Sequence, residues 1–598
     1  MFILNKILLG NRIIKPFALS KFYNENCIKL YTGQIIRCAN LEETLNQKNT
    51  FFCVPYKNIY EKYGNFENKI SSLKILNSFD FESSKHQKEI ISYIKEEIDI
   101  KDLAYDCSNR DFANKIESVI DEEICKGSGT NFMLCRKING EITNLTIKKI
   151  IGIFFRFIEN EIGYYHTFCF FNGDDFIIGS SPECHLKIDN NKINFNRISG
   201  TIAKEKTDNK KIEEFIINKK ETYELLMAID EDLKMMSKNC SELKINGPNL
   251  REMSKVIHTE YEFIGTNKSN NNVKLFQDSI CAATMLGSPL KSAMEVTEKY
   301  NQLDKKYYSG AIGVLNEDGS INSSIVMRSL FIKTNGNFCT FAGSSIVKES
   351  DSLKEILEIK AKLSTIIDNI QSKNINPIKI IQESQYRDNL EIKNELLNKF
   401  WFGIYEPNNS LQGIKILIIN NEDDFVFMLK MIVEIMGAIV DVINWQEYSK
   451  NDDYQLTIIG PGPGDPNDKN SKKMIKINQI AKDLIKSKKK FAGICLGHQI
   501  ISIQLGLKVS VGEKICQGEQ KKINLFGNEE YVAFYNSFFA KYNESCKIKI
   551  NTVSLDKESN ELFAIRGKNF FSLQFHPESL LSQNGAEIIK NEILRIIT

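Results

Sequence analysis

Lys490-Phe491-Ala492-Gly493-Ile494-Cys495-Leu496-Gly497-His498-Gln499 sets a cysteine in a glycine-flanked turn directly behind a short apolar run. Gln499-Ile500-Ile501-Ser502-Ile503-Gln504 then reads as a helix, so the segment is a strand, a tight turn and a helix. Such a turn lifts the thiol out of a sheet and aims it at the helix N-terminus, where exposure and the positive end of the dipole favour a thiolate. A lone cysteine is usually a small buried hydrophobe. Context overrides that here, because His576 lies about 80 residues on in Gln574-Phe575-His576-Pro577-Glu578-Ser579, with a carboxylate two places later. Cys495, His576 and Glu578 read as nucleophile, general base and orienting group.

Two further stretches fix the surroundings. Ile414-Lys415-Ile416-Leu417-Ile418-Ile419 is the nearly continuous apolar run that a parallel strand buried on both faces requires. Ile458-Ile459-Gly460-Pro461-Gly462-Pro463-Gly464-Asp465-Pro466 follows an apolar strand with a turn that presents backbone N–H groups to an anion. Residues 412–598 are therefore expected to form a doubly wound α/β domain.

A chain of 598 residues is too long for one core and suggests about three domains or subdomains. With 78 Lys+Arg against 76 Asp+Glu the net charge is +2, which gives no electrostatic case for nucleic acid or a membrane surface. No apolar stretch reaches the ~18 residues of a membrane span. The 14 cysteines contain no Cys-x-x-Cys pair, so neither a zinc site nor a disulfide framework is indicated, and a reducing cytoplasm fits. Lys6, Arg12, Lys15 and Lys21 precede the first acid, Glu25, a composition that a transit peptide can share. Pro16-Phe17-Ala18-Leu19 leads straight into strand-like sequence, which favours a structural role.

Residues 1–365 mix short β-branched and aromatic runs with helical ones. Ile151-Gly152-Ile153-Phe154-Phe155-Arg156-Phe157 and Thr167-Phe168-Cys169-Phe170-Phe171 read as strands, Lys219–Met236 and Lys354–Ile370 as helices. The polar stretch 366–411, with Asn374, Asn376, Pro377, Asn408, Asn409 and Ser410, is the expected linker. On the two helices Glu221 and Glu224, and Glu355 and Glu358, are spaced to share a face. Such pairs usually make a solvated helix face, but oxygen ligands on two helices suit Mg2+.

The C-terminal part resembles the class I glutamine amidotransferases on the Cys495, His576-Pro577-Glu578 and Gly460–Pro466 segments. The resemblance implies hydrolysis of L-glutamine through a thioester on Cys495, with Gly462 in the oxyanion loop and Leu496, Gln499, Ser537 and Phe538 holding the substrate. Many relatives have His where Asn536 stands. Ammonia is protonated and lost near pH 7, so such a domain normally feeds a synthase.

About residues 120–365 resemble the chorismate-utilising enzymes, of the anthranilate synthase family, through segments in the family's order: Gly179-Ser180-Ser181-Pro182-Glu183, Ile198-Ser199-Gly200-Thr201, Ala283-Thr284-Met285-Leu286-Gly287-Ser288-Pro289, Tyr308-Ser309-Gly310, Met327-Arg328-Ser329 and Ala342-Gly343-Ser344. An α+β domain of layered sheets with flanking helices is implied, and a homodimer. Carried over position by position, Glu224 and Glu355 are the Mg2+ ligands, supported by Glu221 and Glu358. Tyr308, Arg328 and Lys362, with Gly200, Thr201 and Gly343, hold chorismate. Glu183 is the acid that protonates the leaving 4-hydroxyl, and His258 and Thr284 lie near C2. Expelling hydroxide needs a proton donor, and drawing charge into the ring carboxylate needs a metal.

Relatives that add water use a lysine base in a strand that here reads Asn131-Phe132-Met133-Leu134-Cys135-Arg136. Asn131 removes that base, and ammonia needs none. The implied product is 2-amino-2-deoxyisochorismate, as in the phenazine-type fusions, because no Leu-Leu-Glu-Ser inhibitor segment appears near the N-terminus and the Gly287-Ser288-Pro289-Leu290 turn and the Asp230-Glu231-Asp232-Leu233 helix depart from the tryptophan-pathway pattern. The alternative is elimination of pyruvate to anthranilate, which the retained His258 and Thr284 suit. A catalytically idle regulatory or scaffolding fusion is a third reading, which the intact reactive residues oppose.

Overall fold

The computed structural model describes the whole chain except residues 1, 10–12, 59–69, 206, 269–270, 281, 372–379, 382–384, 406–408, 450–452, 488 and 544–549. Of the expected linker, Asn374, Asn376, Pro377 and Asn408 lie outside the described residues. The chain divides into two units: 1–124, 131–228 and 246–390 form the first, and 125–130, 229–245 and 391–598 the second.

The first unit is built on strands whose described pairings are antiparallel. Lys192–Ala203 pairs with Val256–Asn267, placing Thr201 opposite His258, and the register slips at Gly200. Asn131–Ile142 pairs with Asn337–Ile346, and Asp175–Ser181 with Ser329–Lys333. The segments 179–183, 198–201 and 342–344 lie on or directly after strands of these three pairs. The helices Lys219–Ser237 and Ser352–Ile370 carry the paired glutamates. The segment Phe2–Ile7 is a helix whose first backbone N–H groups, of Phe2 and Ile3, donate to the Glu89 carboxylate.

One expected element is of the other kind. Ile151–Phe157 lies inside a helix, Ile147–Asn160, capped by Thr146. Residues 150–157 are all buried there, Arg156 included, so the run by itself is too short and apolar to show the helical period, which emerges only when Lys148, Lys149 and Glu159 are counted with it. Gly152 lets this helix touch the Tyr93 carbonyl, where a Cβ would stand 2.3 Å from the oxygen. Arg156, fully buried, donates to the carbonyls of Ile94 (3.1 Å) and Ile370 (2.9 Å), each the last residue of a neighbouring helix. It satisfies acceptors that those helix ends leave open.

In the second unit the sheet runs in the order Ile439–Asn444, Lys415–Asn420, Leu456–Ile459, Phe491–Ile494, Phe570–Leu573, Leu562–Arg566, Thr552–Leu555. The first five strands are parallel, Leu562–Arg566 runs antiparallel to Phe570–Leu573, and Thr552–Leu555 runs antiparallel to Leu562–Arg566. Helices Lys472–Ser487 and Leu496–Gln504 share a core with the sheet, while Phe425–Ile435 and Gly585–Ile597 pack on each other. A ribbon, Lys508–Leu525 with Asn528–Lys541, stands beside it. No helix among the described residues is long and apolar enough to cross a membrane, and the twelve described cysteines are free thiols.

Candidate active sites

Cys495 caps the helix Leu496–Gln504 directly after the strand Phe491–Ile494, with φ 52° and ψ −105°. That left-handed backbone is strained for a non-glycine residue and projects the side chain from the strand end. Two glycines permit the turn: a Cβ on Gly493 would come 2.6 Å from the Gly497 backbone, and one on Gly497 only 2.0 Å from the Ile459 carbonyl. Gly460–Gly464 follows the adjacent parallel strand, so both turns lie at carboxyl ends of neighbouring strands, where open α/β sheets place their sites. Gly462 is pressed against Asn421, whose amide donates 2.8 Å to the Gly460 carbonyl.

His576 and Glu578 are buried, with Nδ1 of the imidazole 2.8 Å from Oε1 of the carboxylate. Burial alone would favour neutral imidazole, but Glu578 and Cys495 outweigh it and hold the His576 pKa well above the usual value. Among the described residues Nε2 has no hydrogen-bond partner other than the Cys495 thiol, which acts on the charge of the ring. The Cys495 thiol lies 3.9 Å from the Tyr535 carbonyl. Gln499 donates 2.9 Å to the Phe538 carbonyl, tying the helix to the ribbon that carries Ser537. Leu496 packs into the apolar core, so only its backbone is available to a ligand.

In the first unit ten of the expected residues line one cavity: Glu183, Gly200, Thr201, Glu224, His258, Thr284, Tyr308, Arg328, Gly343 and Lys362. Thr284 donates 3.0 Å to Oε1 of Glu183, and Arg197 Nε lies 3.7 Å from the same oxygen. Arg197, fully buried, was not marked by any motif. His258 Nδ1 is 3.0 Å from the Gly200 carbonyl, an acceptor, and Nε2 is 3.1 Å from Nη2 of Arg328, a donor. These partners fix the tautomer with the proton on Nδ1. Burial, with Arg328 and Lys362 nearby, holds the His258 pKa well below its usual value, so the ring is neutral. Arg328 is itself buried in a left-handed conformation (φ 50°), and among the described residues its Nη1 has no partner. A spare, buried guanidinium donor lining a cavity is what an anionic ligand would take up.

Glu221, Glu355 and Glu358 do not line the cavity but gather beside Glu224. Lys220 Nζ lies 2.8 Å from Glu355, 3.4 Å from Glu221 and 3.8 Å from Glu224. Ser199 donates 2.6 Å to Glu224, Ser344 donates to Glu355, and Lys362 donates 2.5 Å to Glu358 and 3.0 Å to the Gly343 carbonyl. Burial pushes the Glu224 pKa up to about 8, against the pull of Lys220 and with Glu221 and Glu358 adding to it. Among the described residues no three acidic side chains converge tightly enough to close a metal cage as they stand. The fit to a divalent cation is one of donor chemistry: an all-oxygen set with more negative charge than its lysines neutralise.

Sequence comparison matches residues 40–368 to the chorismate binding enzymes and 417–596 to the class-I glutamine amidotransferases. A phenazine-specific anthranilate synthase of Pseudomonas chlororaphis is 32% identical over 553 residues, 90% of this chain and 86% of the relative. Its namesake in Pseudomonas fluorescens is 34% identical over 508 residues, 82% and 79% of the two chains. Among solved structures, the menaquinone-specific isochorismate synthase MenF of Escherichia coli superposes with a TM-score of 0.51 at 15% identity, covering 60% of this chain and 89% of that one, a likeness of fold.

Proposed function

We infer the activity from one premise: the chain belongs to the chorismate-binding enzymes that carry a class-I glutamine amidotransferase, together with the phenazine-specific anthranilate synthases. It is a glutamine-dependent enzyme that aminates chorismate at C2 to 2-amino-2-deoxyisochorismate. The observation that carries this reading is the presence, in one chain, of a Cys495–His576–Glu578 triad and of a cavity in which Glu183, His258 and Arg328 converge.

Cys495 attacks the glutamine side-chain amide, and His576 takes the thiol proton and returns it to the departing ammonia; water then releases glutamate. At the other site the ammonia nitrogen bonds to C2, the ring double bond shifts, and the C4–O bond breaks. Glu183, held by Thr284 and Arg197, gives its proton to the 4-hydroxyl, which leaves as water, and the nitrogen sheds one proton. Arg328 and Tyr308 hold carboxylates, with Lys362 beside them. Glu224 and Glu355, supported by Glu221 and Glu358, would hold Mg2+, which when bound supplies positive charge to the ring carboxylate as electrons move toward it. Asn131, donating 3.2 Å to Ser345, offers no base for water. The reading further takes residues 1–365 as the synthase and 412–598 as the amidotransferase, a homodimeric assembly, and a reducing cytoplasm.

The Nε2 lone pair of His258 faces Arg328, which supports a product that keeps its C2 proton and its enolpyruvyl ether. With chorismate, glutamine and Mg2+ the enzyme is expected to yield such a compound with little pyruvate, read by mass spectrometry. Stoichiometric pyruvate with fluorescent anthranilate would reject this product. Cys495→Ser is expected to lose glutamine-dependent turnover while ammonium salt at raised pH still supports amination.

A further inference from the structure

Asp230 lies in the stretch 229–245 that belongs to the second unit, and it is 1% exposed. Its Oδ2 accepts from the Tyr535 hydroxyl at 2.7 Å and from the Ser579 hydroxyl, and its Oδ1 accepts from the Leu580 N–H at 2.8 Å. Burial raises the carboxyl pKa while all three donors oppose it. The donors come from the two segments that flank His576. Ser579 and Leu580 follow Glu578 in one turn. The Tyr535 ring stands edge-on to the imidazole with centroids 5.4 Å apart, and its carbonyl is the neighbour of the Cys495 thiol.

The same turn is held elsewhere by neutral groups. Trp401 donates 2.9 Å to the Glu578 carbonyl, and Asn398 donates 3.3 Å to the carbonyls of Pro577 and Ser579. Asp230 adds a charged acceptor that gathers donors from both the turn and the ribbon, and charge-assisted bonds are the stronger kind. It touches none of the reacting atoms.

We propose that Asp230 is a positioning residue of the glutaminase, locking the Pro577–Leu580 turn and the Tyr535 ring so that Glu578 and His576 stay aligned on Cys495. The assignment rests on Cys495 being the glutamine-cleaving nucleophile. Asp230→Asn keeps the shape and one acceptor, but its amide cannot accept from the two hydroxyls.

In the full chain with chorismate and Mg2+, this variant is expected to lower kcat for glutamate release by about 10–100-fold, the range found for outer-shell groups that orient metal-ligating side chains. The KM for glutamine should stay within about threefold and ammonium-driven amination within about twofold, since neither depends on the imidazole. The pH profile of Cys495 alkylation by iodoacetamide should shift, which a purely structural role would not produce. An unchanged kcat and alkylation profile overturns the proposal, as does an equal loss of ammonium-driven amination. Should Asp230→Asn fail to fold, the Tyr535→Phe, Ser579→Ala pair decides: it removes both hydroxyl donors, and an unchanged kcat again overturns the assignment. Glutaminase activity surviving in Cys495→Ser would refute the underlying nucleophile instead.

Discussion

Lys220 pairs with Glu221, Glu224 and Glu355, and it directly precedes the first of them in sequence. Glu224 retains a proton in the fold up to about pH 8, whereas the unfolded chain releases it near pH 4.5. The folded state therefore binds more protons than the unfolded one between those values, so this group's contribution to stability falls as pH rises through the window and is level above it. Metal-free protein should show that decline in melting temperature, and Glu224→Gln, which cannot titrate, should flatten it. Mg2+ competes with the proton, so its stabilising shift should be larger at about pH 8.5 than at about pH 6. Equal shifts at both values in calorimetry would count against Glu224 as a ligand. The glutamates were legible because three-residue spacing on a helix is a local signal. Arg197 and Asp230 were not: no motif marks Arg197, and the Asp230 partners lie 305 to 350 positions away along the chain, a contact that no periodicity marks.

At the scale of elements, the turn around Cys495 depends on backbone approach. Gly497→Ala would drive a methyl into the Ile459 carbonyl, whose strand is tied on both sides. Overpacking of this kind costs about 1–3 kcal/mol or more. The variant is expected to lose Cys495 alkylation and glutaminase activity and to unfold at lower denaturant, measured by fluorescence titration; wild-type alkylation would refute the packing argument. This strand–turn–helix was readable because glycines flank one cysteine. The helix Ile147–Asn160 was not, since its buried stretch 150–157 taken alone looks alike as strand or helix, and Gly152 against Tyr93 and Arg156 between two helix ends place it in the fold. The expected linker hid its role for a similar reason. Ile380 and Ile381 donate to Glu252 in the first unit, and Trp401 and Asn398 serve the second, all through single side chains or backbone groups in a polar stretch.

For the whole molecule, sequence order suggests 1–365 and 412–598 as consecutive blocks joined by 366–411, whereas the units of the fold interleave: 125–130 and, further on, 229–245 leave the first block to join the second. The latter departure begins in the middle of the helix Lys219–Ser237, which holds Glu224 before it and Asp230 after it. A helix gives no compositional sign of a boundary, so the crossing could not be read from the residues. It makes the protein resistant to dissection. A fragment starting at Glu391 would contain Cys495, His576 and Glu578 but lack the segment that completes their surroundings. Expressed alone, it should hydrolyse glutamine far more slowly than the intact chain, and supplying residues 1–390 as a separate polypeptide should restore the rate, as glutamate release would report. Genes that encode the two activities on separate chains must therefore solve by association what this chain secures by covalent continuity.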